Sequence, residues 1–256
     1  MTVLIKKIFY PLVPFLLLFT AWSVITYLQL VPSYLLPSPL AVISVFFRLL
    51  KEGTLYLIVS KSLLNCLPPY LLSIIVAFLV GLFVGTSKVR QSMILPLISF
   101  FYPIPSLAWL PMIIIMTGFT QWSVWILVFI SSFLKIVLNM ITGIQNINPH
   151  WILAAKNLGM SKMGVLFKVV IPGALPNIVI GLRMGFGSSW RSLIGAEMLV
   201  TGVGGLGKYI WMSQWSFDLD QVLTGIITIA AIGLICELLI FKKLELVMFK
   251  NWEMKD

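Results

Sequence analysis

Apolar runs long enough to cross a bilayer recur along the whole chain, and they leave few folds open. A helix needs about 20 consecutive apolar residues to span the hydrocarbon core. Windows of roughly that length fall at about 8–31, 62–86, 93–117, 122–144, 176–200 and 222–241. Short breaks divide them: "LLPSP" closes the first, "TSKVRQS" separates the second and third, and "GFTQ" links the third to the fourth. Of the 256 residues 60% are hydrophobic and 10% charged, and the mean hydropathy is +1.05. Soluble domains carry about a quarter charged residues. The expectation is an all-α polytopic membrane protein, a single domain over 1–256 with about six transmembrane helices. The start, MTVLIKKIFYPLVPF, has the basic residues of a signal peptide. Its apolar run is too long for one, however, and reads as a retained first span.

The formal net charge of +10 would suggest a nucleic-acid partner in a soluble protein. Here it follows the distribution of basic residues between loops. With the N-terminus inside, the inner segments hold eleven Lys and Arg, among them Lys6, Lys7, Lys88, Arg90, Lys250 and Lys255, and the outer segments hold four. That bias predicts an N-in, C-in topology. No nucleic-acid partner is expected. The stretch 39–53, "PLAVISVFFRLLKEG", is too short to span and has helical apolar spacing. A surface amphipathic helix and a packed connector both fit it.

Catalytic and metal chemistry find little support. Cys66 and Cys236 lie inside spans without ligand partners, and His150 is the only histidine. Asp218 and Asp220 sit in an outer loop with no cleft-forming domain around them. "GVGGLGKY", at 202–209, fits a phosphate loop until its last position, where Tyr209 replaces the required Ser or Thr. It follows a span rather than a buried strand. It is read as a flexible outer loop or a short turn with closely packed glycines, and no bound cofactor is expected.

Two spans suggest a polar path. Span five, "PNIVIGLRMGFGSSWRSLIGAEMLV", has small residues along one face, including the Gly181–Gly185 pair, and span two has Gly81 and Gly85. Such stripes let helices approach closely, or leave room for polar cargo. Arg191 and Glu197 in span five must face protein or a cavity, with Lys135 and Glu237 as candidate partners. Span three contains "YPIPSLAWLP", whose three prolines cannot sit in an ideal helix. Broken backbone at membrane depth belongs beside a cavity or inside protein. Pro105, Ser188, Ser189, Arg191, Ser192 and Glu197 are the candidate pathway residues.

The segment 153–176, LAAKNLGMSKMGVLFKVVIPGALP, lies on the inner side and carries no acid, Cys or His. Asn148 and Pro149 suit a helix start, Gly159 a left-handed corner, and Ser161 the cap of a second short helix ending near Pro172. A basic helix–corner–helix suits docking to another protein.

Ala154, Ala155, Gly159, Val169, Ile171 and Pro172 stand in the register of a cytoplasmic motif of ATP-binding-cassette importer permeases, with Leu153 where that motif usually has Glu. "LLPSPLAV", "YPIPSLAWLP", "GLRMGFGSSW", "GAEML" and "GGLG" are similar to the nitrate, sulfonate and taurine branch of that family. The resemblance implies a type I importer (MetI-like) permease fold in a bacterial or archaeal cytoplasmic (inner) membrane. It implies a coupling-helix loop at about 145–175, with Ala154, Ala155, Asn157, Gly159, Met160, Ser161 and Lys162 contacting the ATPase. It also implies a second permease copy, a cytoplasmic ATPase dimer that binds the ATP and magnesium, and an extracytoplasmic substrate-binding protein. The implied cargo is a small anion such as a sulfonate, taurine or nitrate; a thiamine precursor or other small organic solute is the alternative. A self-contained secondary transporter is the rival class, disfavoured because no inverted repeat is visible.

Overall fold

The computed structural model describes residues 2–246, with side chains from residue 13 onward. Lys250 and Lys255 lie outside the described residues, and the side chains of Lys6 and Lys7 are likewise not described. The described residues form helices and no strands. In chain order these are α1 (Thr2–Tyr27), α2 (Pro39–Lys51), α3 (Thr54–Gly85), α4 (Lys88–Phe101), a 3-10 turn (Ser106–Trp109), α5 (Leu110–Thr117) and α6 (Gln121–Gln145). Then follow α7 (Pro149–Asn157), α8 (Lys162–Val165), a π turn (Leu166–Val170), α9 (Ile171–Leu199), α10 (Leu206–Trp215) and α11 (Leu219–Cys236). A second π turn, Glu237–Phe241, carries the last helix on to Leu246.

Four unbroken helices are long and apolar enough to cross a membrane: Thr54–Gly85, Gln121–Gln145, Lys162–Leu199 and Leu219–Leu246. A fifth span is the pair Lys88–Phe101 and Ser106–Thr117, bent by 85°. α1 contributes a shorter apolar stretch, Val13–Tyr27. The bend falls on the predicted prolines. Pro103 and Pro105 donate no backbone hydrogen bond, and the chain restarts as a 3-10 turn when Ala108 N–H donates to the Pro105 carbonyl at 2.9 Å. Pro111 sits in the first turn of α5, where a missing donor costs nothing.

The core is built on α6, which packs against α3 on one side and α9 on the other. Lipid gives little drive for apolar burial between helices, so close backbone approach does more of the work. The glycine pairs supply it. A Cβ on Gly181 would stand 2.8 Å from that of Asn139, and one on Gly185 would stand 2.8 Å from Ile136 Cγ1. Gly81 and Gly85 make the same close approach to Met140 and Ile144. α3 turns Leu64, Leu71, Ile75 and Leu79 outward at helical spacing, a face suited to lipid.

One open alternative is decided and one sequence expectation changes. Residues 39–53 form a packed connector: Ser38 caps α2, and Val42, Val45 and Leu49 are buried, with α2 set against α3 and α11. The second arm of the corner does not end near Pro172. It runs on as the single 38-residue helix Lys162–Leu199. The π turn explains this. Ile171 N–H donates to the Leu166 carbonyl five residues back, and the widened turn sits immediately ahead of the proline.

Candidate functional site

A cavity of about 400 Å³ opens where span three breaks. Tyr102, Pro103, Ile104, Pro105, Ser106 and Trp109 form one wall, Ser131 and Lys135 on α6 another, and Ser188, Arg191 and Ser192 on α9 the third. The wall from the break is held to α9 by hydroxyls, with Ser106 Oγ and Ser192 Oγ 2.5 Å apart. The Lys135 ammonium lies 3.3 Å from the centroid of the Tyr102 ring, a cation–π seat. No carboxylate lines the space.

Four of the six candidate pathway residues, Pro105, Ser188, Arg191 and Ser192, therefore share one cavity. The other two lie elsewhere. Ser189 is buried, donates to the Phe186 carbonyl and faces Cys66. Glu197 is 0% exposed and, among the described residues, forms an ion pair with neither Lys135 nor any other cation. Its carboxyl accepts from Ser62 Oγ, Asn65 Nδ2 at 3.1 Å and Gly207 N–H at 3.0 Å. Ser62 Oγ in turn accepts from Leu206 N–H at 2.8 Å. Asn65 also donates to the Gly204 carbonyl and accepts from Gln121. The glycine-rich stretch is thus wrapped around a carboxyl group seated at the N-terminus of α10. That end of a helix favours such a group, because its amides are unpaired and the dipole is positive there. A Cβ on Gly205 would collide with the Glu197 carboxyl group and one on Gly207 with the Ile194 carbonyl, so the phosphate-loop likeness arises from close packing. Glu237 pairs instead with Arg183, which also lies 3.7 Å from Glu245.

Sequence reasoning missed Lys135, Tyr102, Ser106 and Ser131 as cavity residues. Ser131 and Lys135 are four apart, which on a helix places them on one face beside the break. That spacing was the available signal.

At the other end of α9 lies the corner. Asn148 caps α7 by accepting from His150 N–H at 3.0 Å. Gly159 has φ +78°. Its N–H donates to the Lys156 carbonyl at 2.9 Å, and Met160 N–H donates to the Ala155 carbonyl at 3.1 Å. These two bonds make a Schellman motif, which closes a helix with glycine at its left-handed position. Ser161 then caps α8 by accepting from Gly164 N–H at 3.1 Å. Ala155 and Met160 pack inward on Ile147, Val165 and Ala174, while Ala154, Asn157, Ser161 and Lys162 face outward. Leu158 is 84% exposed and Met163 61%. Large apolar side chains therefore stand out at a turn beside lysines.

Residues 73–241 match the family model described as binding-protein-dependent transport system inner membrane component. The chain belongs to that family. Its relatives include the taurine transport system permease protein TauC of Escherichia coli K12, 31% identical over 226 residues, which cover 86% of this chain and 82% of that one. A putative ABC transporter permease of Methanocaldococcus jannaschii is 34% identical over 79% of this chain and 78% of its own. The bicarbonate transport system permease protein CmpB of Synechococcus elongatus is 32% identical over 69% and 63%. The fold matches a chain from inward-facing structures of the MetNI methionine ABC transporter, with a TM-score of 0.57 and 17% identity over 73% of this chain and 94% of that one. This permease-family chain is accordingly a multi-pass membrane protein with the type I importer fold.

Proposed function

We propose that this chain forms the membrane path of an ATP-driven importer for a small anion, and that it is driven through the α7–α8 corner by a separate cytoplasmic ATPase. The reading takes two copies of the chain to pair in the membrane, with a binding protein delivering cargo from outside. One observation carries it. The helix Lys162–Leu199 begins at the corner and passes the cavity without a break. At 1.5 Å per residue it is a rod of roughly 57 Å. A push on Met163 reaches Ser188, Arg191 and Ser192 through one hydrogen-bonded element. The taurine and bicarbonate relatives support an anionic cargo.

Reconstitution tests the proposal. Vesicles holding the chain with its ATPase, supplied with binding protein, are expected to take up taurine or bicarbonate only when ATP is present on the ATPase side. Uptake by the chain alone, unaffected by ATP, would instead indicate a self-contained transporter.

A further inference from the structure

We infer that Lys135 and Arg191 form an anion-coordinating site inside the membrane path, so that this chain itself, beyond any binding protein, selects for negative charge. The inference rests on the permease reading for its physiological meaning, and on the cavity alone for its chemistry.

Two cations face one cavity from different helices, and among the described residues neither has a carboxylate within 4 Å. An unpaired charge at membrane depth is expensive, and it persists where it meets water or a ligand of opposite sign. Three other charged groups of these spans behave differently: Arg183 and Glu237 pair with each other, and Glu197 is sealed behind three donors, Ser62, Asn65 and Gly207. Lys135 and Arg191 make no such pair, and they share the cavity with hydroxyls able to donate. In the Ser106–Ser192 pair one hydroxyl proton is used between the two oxygens, and the other remains for a ligand. Ser188 makes no hydrogen bond among the described residues. The volume of about 400 Å³ lies in the usual range for small-molecule sites, about 300–1,000 Å³. Donors and cations without a competing acceptor fit a sulfonate, a carboxylate or a comparable small oxyanion. A cationic solute would meet two like charges and no carboxylate here.

The test uses charge-matched thiol reagents, so it needs no knowledge of the cargo. Ser188→Cys places a reporter in the cavity. Cys236→Ala removes the partly exposed native thiol, while Cys66 is fully buried and stays unreactive. The full chain in phosphatidylcholine vesicles is labelled with 2-sulfonatoethyl or 2-(trimethylammonium)ethyl methanethiosulfonate, each normalised to its rate with a free thiol. A cleft of one sign raises the local concentration of its counter-ion by about 10-fold or more. The sulfonate reagent is therefore expected to react about 10-fold faster than the ammonium reagent. That preference should fall in Lys135→Gln and in Arg191→Gln and approach one in the double variant. Ser106→Cys repeats the measurement from the opposite wall should any Ser188 variant fail to fold. A parent ratio of one or below, or a ratio unmoved by neutralising both cations, overturns the site. Labelling needs no ATPase, so a chain that docks its ATPase yet shows no charge preference loses only this inference.

Discussion

Ser62 donates to both carboxyl oxygens of Glu197, at 3.0 and 2.9 Å, across 135 positions of sequence. The contact fastens α3 to the end of α9, and through Leu206 and Gly207 it draws in the start of α10. Removing Ser62 leaves the buried Leu206 N–H without its acceptor and takes one of three donors from the buried carboxyl group. Ser62→Ala is expected to destabilise the chain by about 1–3 kcal/mol. Glu197→Ala orphans the donors of Ser62, Asn65 and Gly207 together, and should lower the melting temperature further. Thermal unfolding of both purified variants in detergent checks the order; equal, negligible shifts would show that the network does not hold these elements.

The glycines of that loop are constrained by space. An alanine methyl at Gly207 would strike the Ile194 carbonyl and the Glu197 Cβ. Gly207→Ala should therefore cost about 1–3 kcal/mol through overpacking. Gly233, in α11, has nothing closer than Trp190 Nε1 at 3.9 Å, so Gly233→Ala should gain about 0.5–1 kcal/mol of helix stability. Melting curves for the pair should move in opposite directions.

Arg183 and Glu237 tie α9 to the π turn after α11. Both side chains are a third to a half exposed, at 49% and 35%, so screening keeps their coupling to about 0.2–1 kcal/mol in detergent. A double-mutant cycle with Arg183→Met and Glu237→Gln should show that coupling, and the charge swap Arg183→Glu with Glu237→Arg should recover most of what either reversal loses. Strictly additive effects would remove the pair from the structural picture.

Local features of the sequence carried much of this. Prolines at 103, 105 and 111 disclosed the break in span three, because three missing N–H donors so close together are more than a helix can absorb. The Gly181–Gly185 and Gly81–Gly85 spacings marked the seams on α6, because a missing side chain shows up as spacing along one face. The corner was legible for the same reason, since a left-handed residue after a helix is usually glycine. The partners of Glu197 were not legible. Its donors come from positions 62, 65 and 207, and nothing in local spacing announces contacts that distant. The grouping of Lys135 with Arg191 was hidden likewise, since it depends on the register between α6 and α9. Continuity through Pro172 was missed because a π turn leaves no mark in apolar periodicity.

The corner gives the most direct test. Gly159 sits at φ +78° with open space where a Cβ would be, so a substitution there meets backbone strain alone. A left-handed conformation costs an ordinary L-residue roughly 1–2 kcal/mol, a β-branched side chain tolerates it poorly, and Asn tolerates it best after glycine. The measurement is the amount of ATPase retained on the tagged full chain, together with ATP hydrolysed per substrate imported. Gly159→Val should lose ATPase or raise the ATP hydrolysed per substrate imported, while Gly159→Asn stays near the parent. Retention and ratio both unchanged in Gly159→Val would contradict the assignment of this corner as the coupling contact.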